Sequence, residues 1–324
     1  MAGTYPPITL AVNKFIATMT NLIAYSQYVD TLEKGTINRL IASSQDINVP
    51  NGDGKLVLAA DIIEPEDYSA TSSLLESNPP TVKEQYIPVT NYKVIPLTVN
   101  KYLMRGAFAE EAAMAGFIAY LYSVMERSRE VFLYNELVKM YDAYAPTNAG
   151  QTVTVALIQT SGLKTAAEIL AAKTENSNRM YEALINTLAE MGADSAEFND
   201  LSLTEVIDYK SLKFIGNSEF NTQMLVGTLA TLLNSDKITE EMKWSETIII
   251  PKGKLTESGA TCIGWLCHKK KIQFGYFYTV ATSFFDGSNL NQNNWLHFAY
   301  YMDEVDALPC VKFVASYAAL PAGG

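Results

Sequence analysis

The side chains in this sequence best suited to bind a metal are three cysteines and two histidines. They are Cys262, Cys267, His268, His297 and Cys310. Thiolate and imidazole groups are the ligands that zinc prefers. In a strand, however, positions 262 and 267 face opposite sides of a sheet. Three cysteines are also an odd number in a large chain, which favours reduced thiols. We therefore predict buried core thiols and no metal site.

The sequence contains few candidate residues for acid–base or nucleophilic catalysis. Neither histidine lies near a nucleophile motif, and no G-x-S-x-G sequence occurs. The carboxylate pairs are adjacent in sequence, so that a helix or strand points their members apart; they are Glu110/Glu111, Glu240/Glu241 and Asp303/Glu304. Solvated faces explain these pairs at least as well as catalysis. We predict no catalytic residue and no cofactor-binding residue.

Two basic or glycine-rich segments suggest phosphate binding only weakly. Gly52, Gly54 and Lys55 are spaced too closely for a Walker loop, and Leu56 follows where a Ser or Thr is needed. Asn51–Gly54 instead favours a hairpin turn. Lys269–Lys271 is the only basic run, and we interpret it as a solvated strand entry or turn.

Composition excludes several classes of protein. The chain has 324 residues, of which 48% are hydrophobic, so wholesale disorder is excluded. The net charge is −11, from 35 acidic and 24 basic residues, which argues against a broad basic face for nucleic acid. Few charges together with 19 tyrosines suit a protein that buries surface against partners. No secretory signal and no apolar run of about 18 residues is present, so we predict no membrane span.

The helical signal is strongest over Ala107–Tyr144, which contains no proline and ends before the Ala145–Gly150 segment. Further apolar spacing predicts separate helices at Thr165–Ala172 and Ser177–Met191, and another at Asn221–Leu233.

Strand signals lie on both sides of this helical region. Ile95–Val99 alternates apolar and polar residues, and Pro88 and Pro96 place the nearby strands on an edge or in a projecting arm. Val206–Tyr209 is predicted to be a short strand. Long alternating runs follow at Ile272–Phe284, Leu296–Met302 and Val311–Tyr317, which predict strands with one face buried.

The order of these elements resembles the major capsid protein of tailed bacteriophages, the HK97-like fold. The most suggestive stretches are Tyr92–Val99, which runs into the long helix, and Lys271–Gly275 with the aromatic strands after it. The resemblance implies an α+β fold with five regions. They are an N-terminal arm (1–45), an extended β loop (46–104), a spine helix of the peripheral domain (105–150), an axial domain (151–270) and C-terminal strands of the peripheral domain (271–324).

The function implied by this resemblance is assembly into an icosahedral or prolate shell that encloses the phage genome. The expected partners are further copies of the chain as pentamers and hexamers, the portal, scaffold or decoration proteins, and double-stranded DNA on the inner face. The expected location is the virion, assembled in the host cytoplasm, with no membrane partner. Two alternatives stay open: an encapsulin-like compartment shell, and a cytosolic enzyme with an unrecognised site.

Overall fold

The computed structural model describes residues 36–46, 54–63, 79–100, 111–161, 163, 165–231, 244–256 and 261–318. The helices in these ranges are α1 (Thr36–Ser44), α2 (Glu111–Ala143), α3 (Ala166–Met191) and α4 (Ser218–Thr231). The strands are β1 (Gly54–Ala60), β2 (Val82–Pro88), β3 (Asn91–Asn100), β4 (Thr152–Ile158), β5 (Leu212–Asn217), β6 (Glu246–Ile250), β7 (Cys262–His268), β8 (Ile272–Asp286), β9 (Asn291–Glu304) and β10 (Cys310–Ala318). The predicted α+β class is confirmed.

The chain divides into two compact units. The first contains the described parts of Met1–Asp53, Pro88–Leu137 and Phe274–Met302. The second contains those of Gly54–Ile87, Val138–Gln273 and Asp303–Gly324. The predicted division into arm, loop, spine, axial and peripheral regions stays a prediction.

The second unit is built on a five-stranded sheet with the order β4-β10-β7-β5-β6. β10 pairs with β4 and β5 pairs with β6 in parallel, whereas β7 runs antiparallel to β5 and β10. Every residue of β5 is buried, as is β7 up to Cys267. Strands covered on both faces are buried along their whole length instead of at alternate residues.

The two faces of this sheet are covered by different helices. On one face, Leu184 and Leu188 of α3 and Phe220 of α4 join Phe214 and Phe313 of the sheet in a single buried cluster. On the other face, the last turn of α2 places Tyr141 against Trp265, with ring centroids 6.0 Å apart.

A single polar residue explains why α3 is one helix and not the predicted two. Asn176 lies at the apparent break, yet it is buried and accepts a hydrogen bond from the Ile158 amide at 2.7 Å while donating to the Ile158 carbonyl at 2.9 Å. These bonds fix the helix to the end of β4. The helix begins at a capping box between Thr165 and Glu168 and ends at Gly192.

The first unit contains a three-stranded sheet with the order β3-β9-β8. β3 lies at its edge, as its prolines predicted, and pairs antiparallel with β9 from Asn91↔Tyr300 to Asn100↔Asn291. Phe132 of α2 packs edge-on against Phe298 and Tyr300, with centroids 6.2 and 6.0 Å away.

The predicted long helix is confirmed in its described part. α2 has 33 residues and is therefore about 50 Å long. Arg129 and Glu126, one turn apart on this helix, form an ion pair. No helix among the described residues is long and apolar enough to cross a membrane.

The predicted strand at Val206–Tyr209 is wrong. Glu205 makes only an isolated bridge to Ser195, and Tyr209 begins a short 3-10 helix. Asp208 explains the difference, because its carboxylate accepts a hydrogen bond from the Lys210 amide and so caps that turn. The predicted turn residues 51–53, the helix start at 107–110, and most of the predicted N-terminal arm (1–35) lie outside the described residues.

Candidate assembly interface

The two-stranded sheet formed by β1 and β2 is anchored to the rest of the second unit through one face. The Lys55 ammonium donates a hydrogen bond to the Gln273 side-chain carbonyl at 2.9 Å. The Lys83 ammonium donates to the Leu201 carbonyl. Both lysines point from their strands toward the rest of the unit. Because hydrogen bonds have a preferred geometry, these contacts fix the orientation of the sheet.

Two further residues complete this anchorage. The Gln85 amide donates to the Glu304 carbonyl at 2.7 Å, and its oxygen accepts from the Asp306 amide at 2.9 Å. Asp61, just after β1, accepts from the Thr204 amide at 3.0 Å. Backbone hydrogen bonds from Thr204 and Ile62 lower the pKa of Asp61, because they stabilise its carboxylate form.

The opposite face of the same sheet is exposed and mostly apolar. We call it the arm face; its apolar members are Leu56, Leu58, Val82 and Tyr86, and Glu84 lies exposed between the last two. Leu58 is 62% exposed and Tyr86 is 58% exposed. Contiguous exposed apolar side chains commonly mark a surface that contacts another protein. The sheet thus has one face that is held against the rest of the unit and one face that is exposed and mostly apolar.

A second exposed apolar surface follows β8, which is an outer strand of the three-stranded sheet. We call Phe277–Phe285 the β8 edge. All nine of its residues are exposed, and Phe284 is 61% exposed. The predicted burial of one face of this run is therefore wrong beyond its first residues: Ile272–Gly275 is buried, but every residue from Phe277 to Phe285 is exposed. A long apolar strand at a sheet edge offers backbone groups and side chains to a further strand.

The base of β8 is held firmly by aromatic and charged contacts. The Arg129 guanidinium lies 4.8 Å from the Tyr276 ring centroid, and Tyr276 packs edge-on against Phe298 at 6.5 Å. Burial raises the pKa of Tyr276 to about 12, partly offset by Arg129. The Asp46 amide donates to the Phe274 carbonyl at 2.8 Å. A rigid base therefore leads into an exposed strand.

The cysteines and histidines that the sequence singled out do not form a common site. Cys262, Cys267 and Cys310 are buried free thiols in the five-stranded sheet. His268 ends β7 in the same unit, whereas His297 lies in β9 of the other unit and contacts the Thr282 hydroxyl at 3.1 Å. Among the described residues no group of three potential ligands could hold a metal ion.

The predicted turn or strand entry at Lys269–Lys271 is confirmed, because the segment leads directly into β8, but the predicted solvation is wrong for Lys271. Lys269 and Lys270 form the turn after β7. Lys271 is fully buried, where it pairs with Asp200 and donates to the Val305 carbonyl at 3.2 Å.

Of the carboxylate pairs that the sequence contains, Glu304 lies near Lys271, and burial raises the pKa of Glu304. Glu110, Glu240 and Glu241 lie outside the described residues.

Sequence reasoning missed the residues of the arm face. The signal was present but weak: Leu56 and Leu58 alternate with Lys55 and Val57, which a half-buried strand of a core also does. The leucines are exposed because the opposite face of the strand, which carries Lys55, is the one held against the unit. The partner of Lys55, Gln273, lies 218 residues away in the chain, so no local pattern reveals this contact.

Comparison with solved structures relates this arrangement to viral shells. A chain in the capsid structure of Staphylococcus phage Andhra is similar with a TM-score of 0.56 and 11% identity, covering 86% of this chain and 84% of that one. A chain in the capsid structure of the cyanophage P-SCSP1u gives a TM-score of 0.58 and 12% identity, over 85% and 87%. No curated protein matches the chain. The family model of the Phi29-like phage major capsid protein matches residues 10–314. The chain belongs to this family.

The protein is thus a major capsid protein of a phage, a structural component of the virion whose copies assemble into the capsid. The predicted capsid fold is confirmed by the likeness to both structures. Neither the encapsulin-like compartment nor the enzyme is supported by these matches.

Proposed function

We propose that the arm face is the surface with which this capsid protein clamps a neighbouring copy in the shell. The two-faced character of the β1–β2 sheet carries the proposal. Lys55, Lys83 and Gln85 hold one face in place, so that the other is presented in a fixed orientation. Burying apolar surface contributes about 25 cal/mol per Å², and a sheet that is already held in place loses little backbone entropy when a neighbour covers it.

The β8 edge is proposed as a second contact between copies. Its aromatic residues, Phe277, Tyr278, Phe284 and Phe285, are the types that protein interfaces favour. A strand from a neighbouring copy would pair with the outer edge of β8, on the side opposite β9. The contacts at Tyr276 fix the base of β8, so the exposed part of the strand is held in one direction for pairing.

The proposed regions of the capsid protein follow the resemblance. Residues 1–45 serve as the N-terminal arm, 46–104 as the extended loop, 105–150 as the spine, 151–270 as the axial domain and 271–324 as the C-terminal peripheral strands. The order of the described elements supports this proposal, because α2 separates the β1–β3 segment from the five-stranded sheet in the chain, and β8 and β9 return to the three-stranded sheet after β7. Within 271–324, β10 belongs to the five-stranded sheet.

The proposed partners are copies of the chain as pentamers and hexamers, the portal, scaffold or decoration proteins, and double-stranded DNA held inside the shell. The net charge of −11 supports enclosure of DNA without wrapping it, because tight wrapping needs clustered basic side chains. The proposed role is structural and involves no catalytic step, metal or cofactor.

The arm face is tested by Leu58→Glu with Leu170→Glu as its matched control. Both leucines are exposed, at 62% and 59%, but Leu170 lies on α3, far along the chain from the arm face. We expect both variants to fold with wild-type circular dichroism. Leu58→Glu should fail to form stable shells in electron micrographs, and Leu170→Glu should assemble. Normal shells from Leu58→Glu would overturn the proposal.

A further inference from the structure

Four chemically active side chains form a continuous row across the five-stranded sheet. In the strand register, Glu246 of β6 lies opposite Lys213 of β5, Lys213 opposite Cys267 of β7, and Cys267 opposite Cys310 of β10. Residues in register on neighbouring strands point to the same face. Nothing in the assembly role described above uses this row.

Cys267 and Cys310 form a non-hydrogen-bonded pair of the antiparallel β7–β10 ladder, the type in which the Cα atoms lie closer together. In a hydrogen-bonded pair the two residues exchange both backbone bonds, but the Cys310 amide donates to the Phe198 carbonyl, at 2.9 Å. The bond between neighbouring positions runs from His268 to Pro309. Cys267 and Cys310 are therefore a non-hydrogen-bonded pair, whose Cα atoms lie about 4.5 Å apart, within the range that a disulfide spans.

The surroundings favour reaction at Cys267. Its thiol contacts the Tyr141 hydroxyl at 3.9 Å, and the Lys213 ammonium lies 5.7 Å from the centroid of the same tyrosine ring. Burial alone would raise the pKa of Cys267, but the hydrogen bond with Cys310 and the charge of Lys213 outweigh it and lower that pKa. Burial and the neighbouring Cys267 raise the pKa of Cys310. Of the two cysteines, Cys267 therefore deprotonates more readily, and Cys310 stays a neutral thiol.

We propose that Cys267 and Cys310 are a redox-active thiol pair that forms a cross-strand disulfide when hydrogen peroxide reaches it. The Cys267 thiolate attacks one peroxide oxygen and becomes a sulfenic acid, while the other oxygen takes up a proton and leaves as water. The Cys310 sulfur then attacks the sulfenic sulfur, forming the S–S bond and releasing a second water. Two thiols are oxidised and one peroxide is reduced.

The pair lies near the ends of its strands, where a small oxidant has a short path. Cys310 is the first residue of β10, and Cys267 is the last but one of β7. The adjacent residues His268 and Pro309 line an open cavity of about 390 Å³. The proposed reaction requires a transient opening of these strand ends, which would expose the thiols without unfolding the whole sheet.

A disulfide here would close the chain segment that carries β8 and β9. It would join β7 to β10 on either side of that segment and so restrict the unfolded chain. The oxidised protein should therefore unfold at a higher temperature than the reduced protein, by on the order of 5 °C or more.

The test is non-reducing peptide mapping of the purified full-length protein before and after treatment with hydrogen peroxide. We expect a linked pair of peptides containing Cys267 and Cys310, lighter by two hydrogens and separated again by a reductant. Cys310→Ser should abolish the link and the rise in Tm. Cys262→Ser is the matched control, because Cys262 is equally buried in β7 but lies opposite Val314, and it should leave both unchanged.

The wild-type map decides the matter even if Cys310→Ser fails to fold. Absence of the 267–310 link from folded, peroxide-treated protein would overturn the proposal. So would oxidation that stops at a sulfinic acid on Cys267, or a link that involves Cys262 to the same extent.

Discussion

The ammonium of Lys271 and the carboxylate of Asp200 form a buried ion pair in the second unit. The side chain of Lys271 is 0% exposed and that of Asp200 is 10% exposed. The ammonium also lies 5.5 Å from the centroid of the Tyr144 ring. A buried charge of this kind is tolerated only while its partner is present.

Asp200→Ala should therefore destabilise the protein by about 3–5 kcal/mol, because it leaves a buried ammonium unpaired. The measurement is the free energy of unfolding in urea. Glu219→Ala is the control: it breaks the ion pair with Lys252, whose side chains are 44% and 53% exposed, and should cost less than about 1 kcal/mol. Equal losses from the two variants would contradict this account of the buried pair.

Gln85→Ala should loosen the β1–β2 sheet without unfolding the second unit. The change removes two hydrogen bonds, to the Glu304 carbonyl and from the Asp306 amide. We expect faster amide hydrogen exchange in Gly54–Ala60 and Val82–Pro88, with the five-stranded sheet unchanged. Glu84→Ala, at an exposed position of the same strand, is the control and should leave exchange as in the wild type. Unchanged exchange in Gln85→Ala would show that the sheet is held by other contacts.

His268 should make the subunit less stable in mild acid. The Lys270 amide donates to its Nδ1 at 3.1 Å, and burial, assisted by Lys213, Lys269 and Lys270, lowers its pKa from 6.5 to about 4. Between these two values the unfolded chain binds a proton that the folded chain does not. The free energy of unfolding therefore falls as the pH decreases from 6.5 to about 4.

His268→Asn keeps an acceptor near Nδ1 and cannot titrate, so it isolates this effect from that of the carboxylates. Relative to this variant, the wild type should lose on the order of 1–3 kcal/mol between neutral pH and pH of about 4. Parallel pH profiles for the two proteins would show that His268 is protonated as readily in the folded state as in the unfolded state.

Local patterns predicted the elements but not their surroundings. The absence of proline predicted α2, and alternation predicted β3 and β9, since both signals are encoded within a few residues. Lys271 belongs to a basic run that looks solvated, and its burial depends on Asp200, which lies 71 residues away in the chain. The predicted break within α3 is absent because of another contact between residues distant in the chain. Asn176 accepts a hydrogen bond from Ile158 of β4, and the helix continues through it. The arm face likewise depends on distant anchors that no local pattern contains.

The central claim is that the arm face contacts a neighbouring copy of the capsid protein. Cryo-electron microscopy of assembled shells tests it most directly, through the solvent-exposed area of each side chain in the shell. The account predicts that Leu56, Leu58 and Tyr86 lose most of their exposed area against an adjacent subunit, while Leu170 keeps its own. Shells in which those three side chains stay exposed to solvent would contradict it.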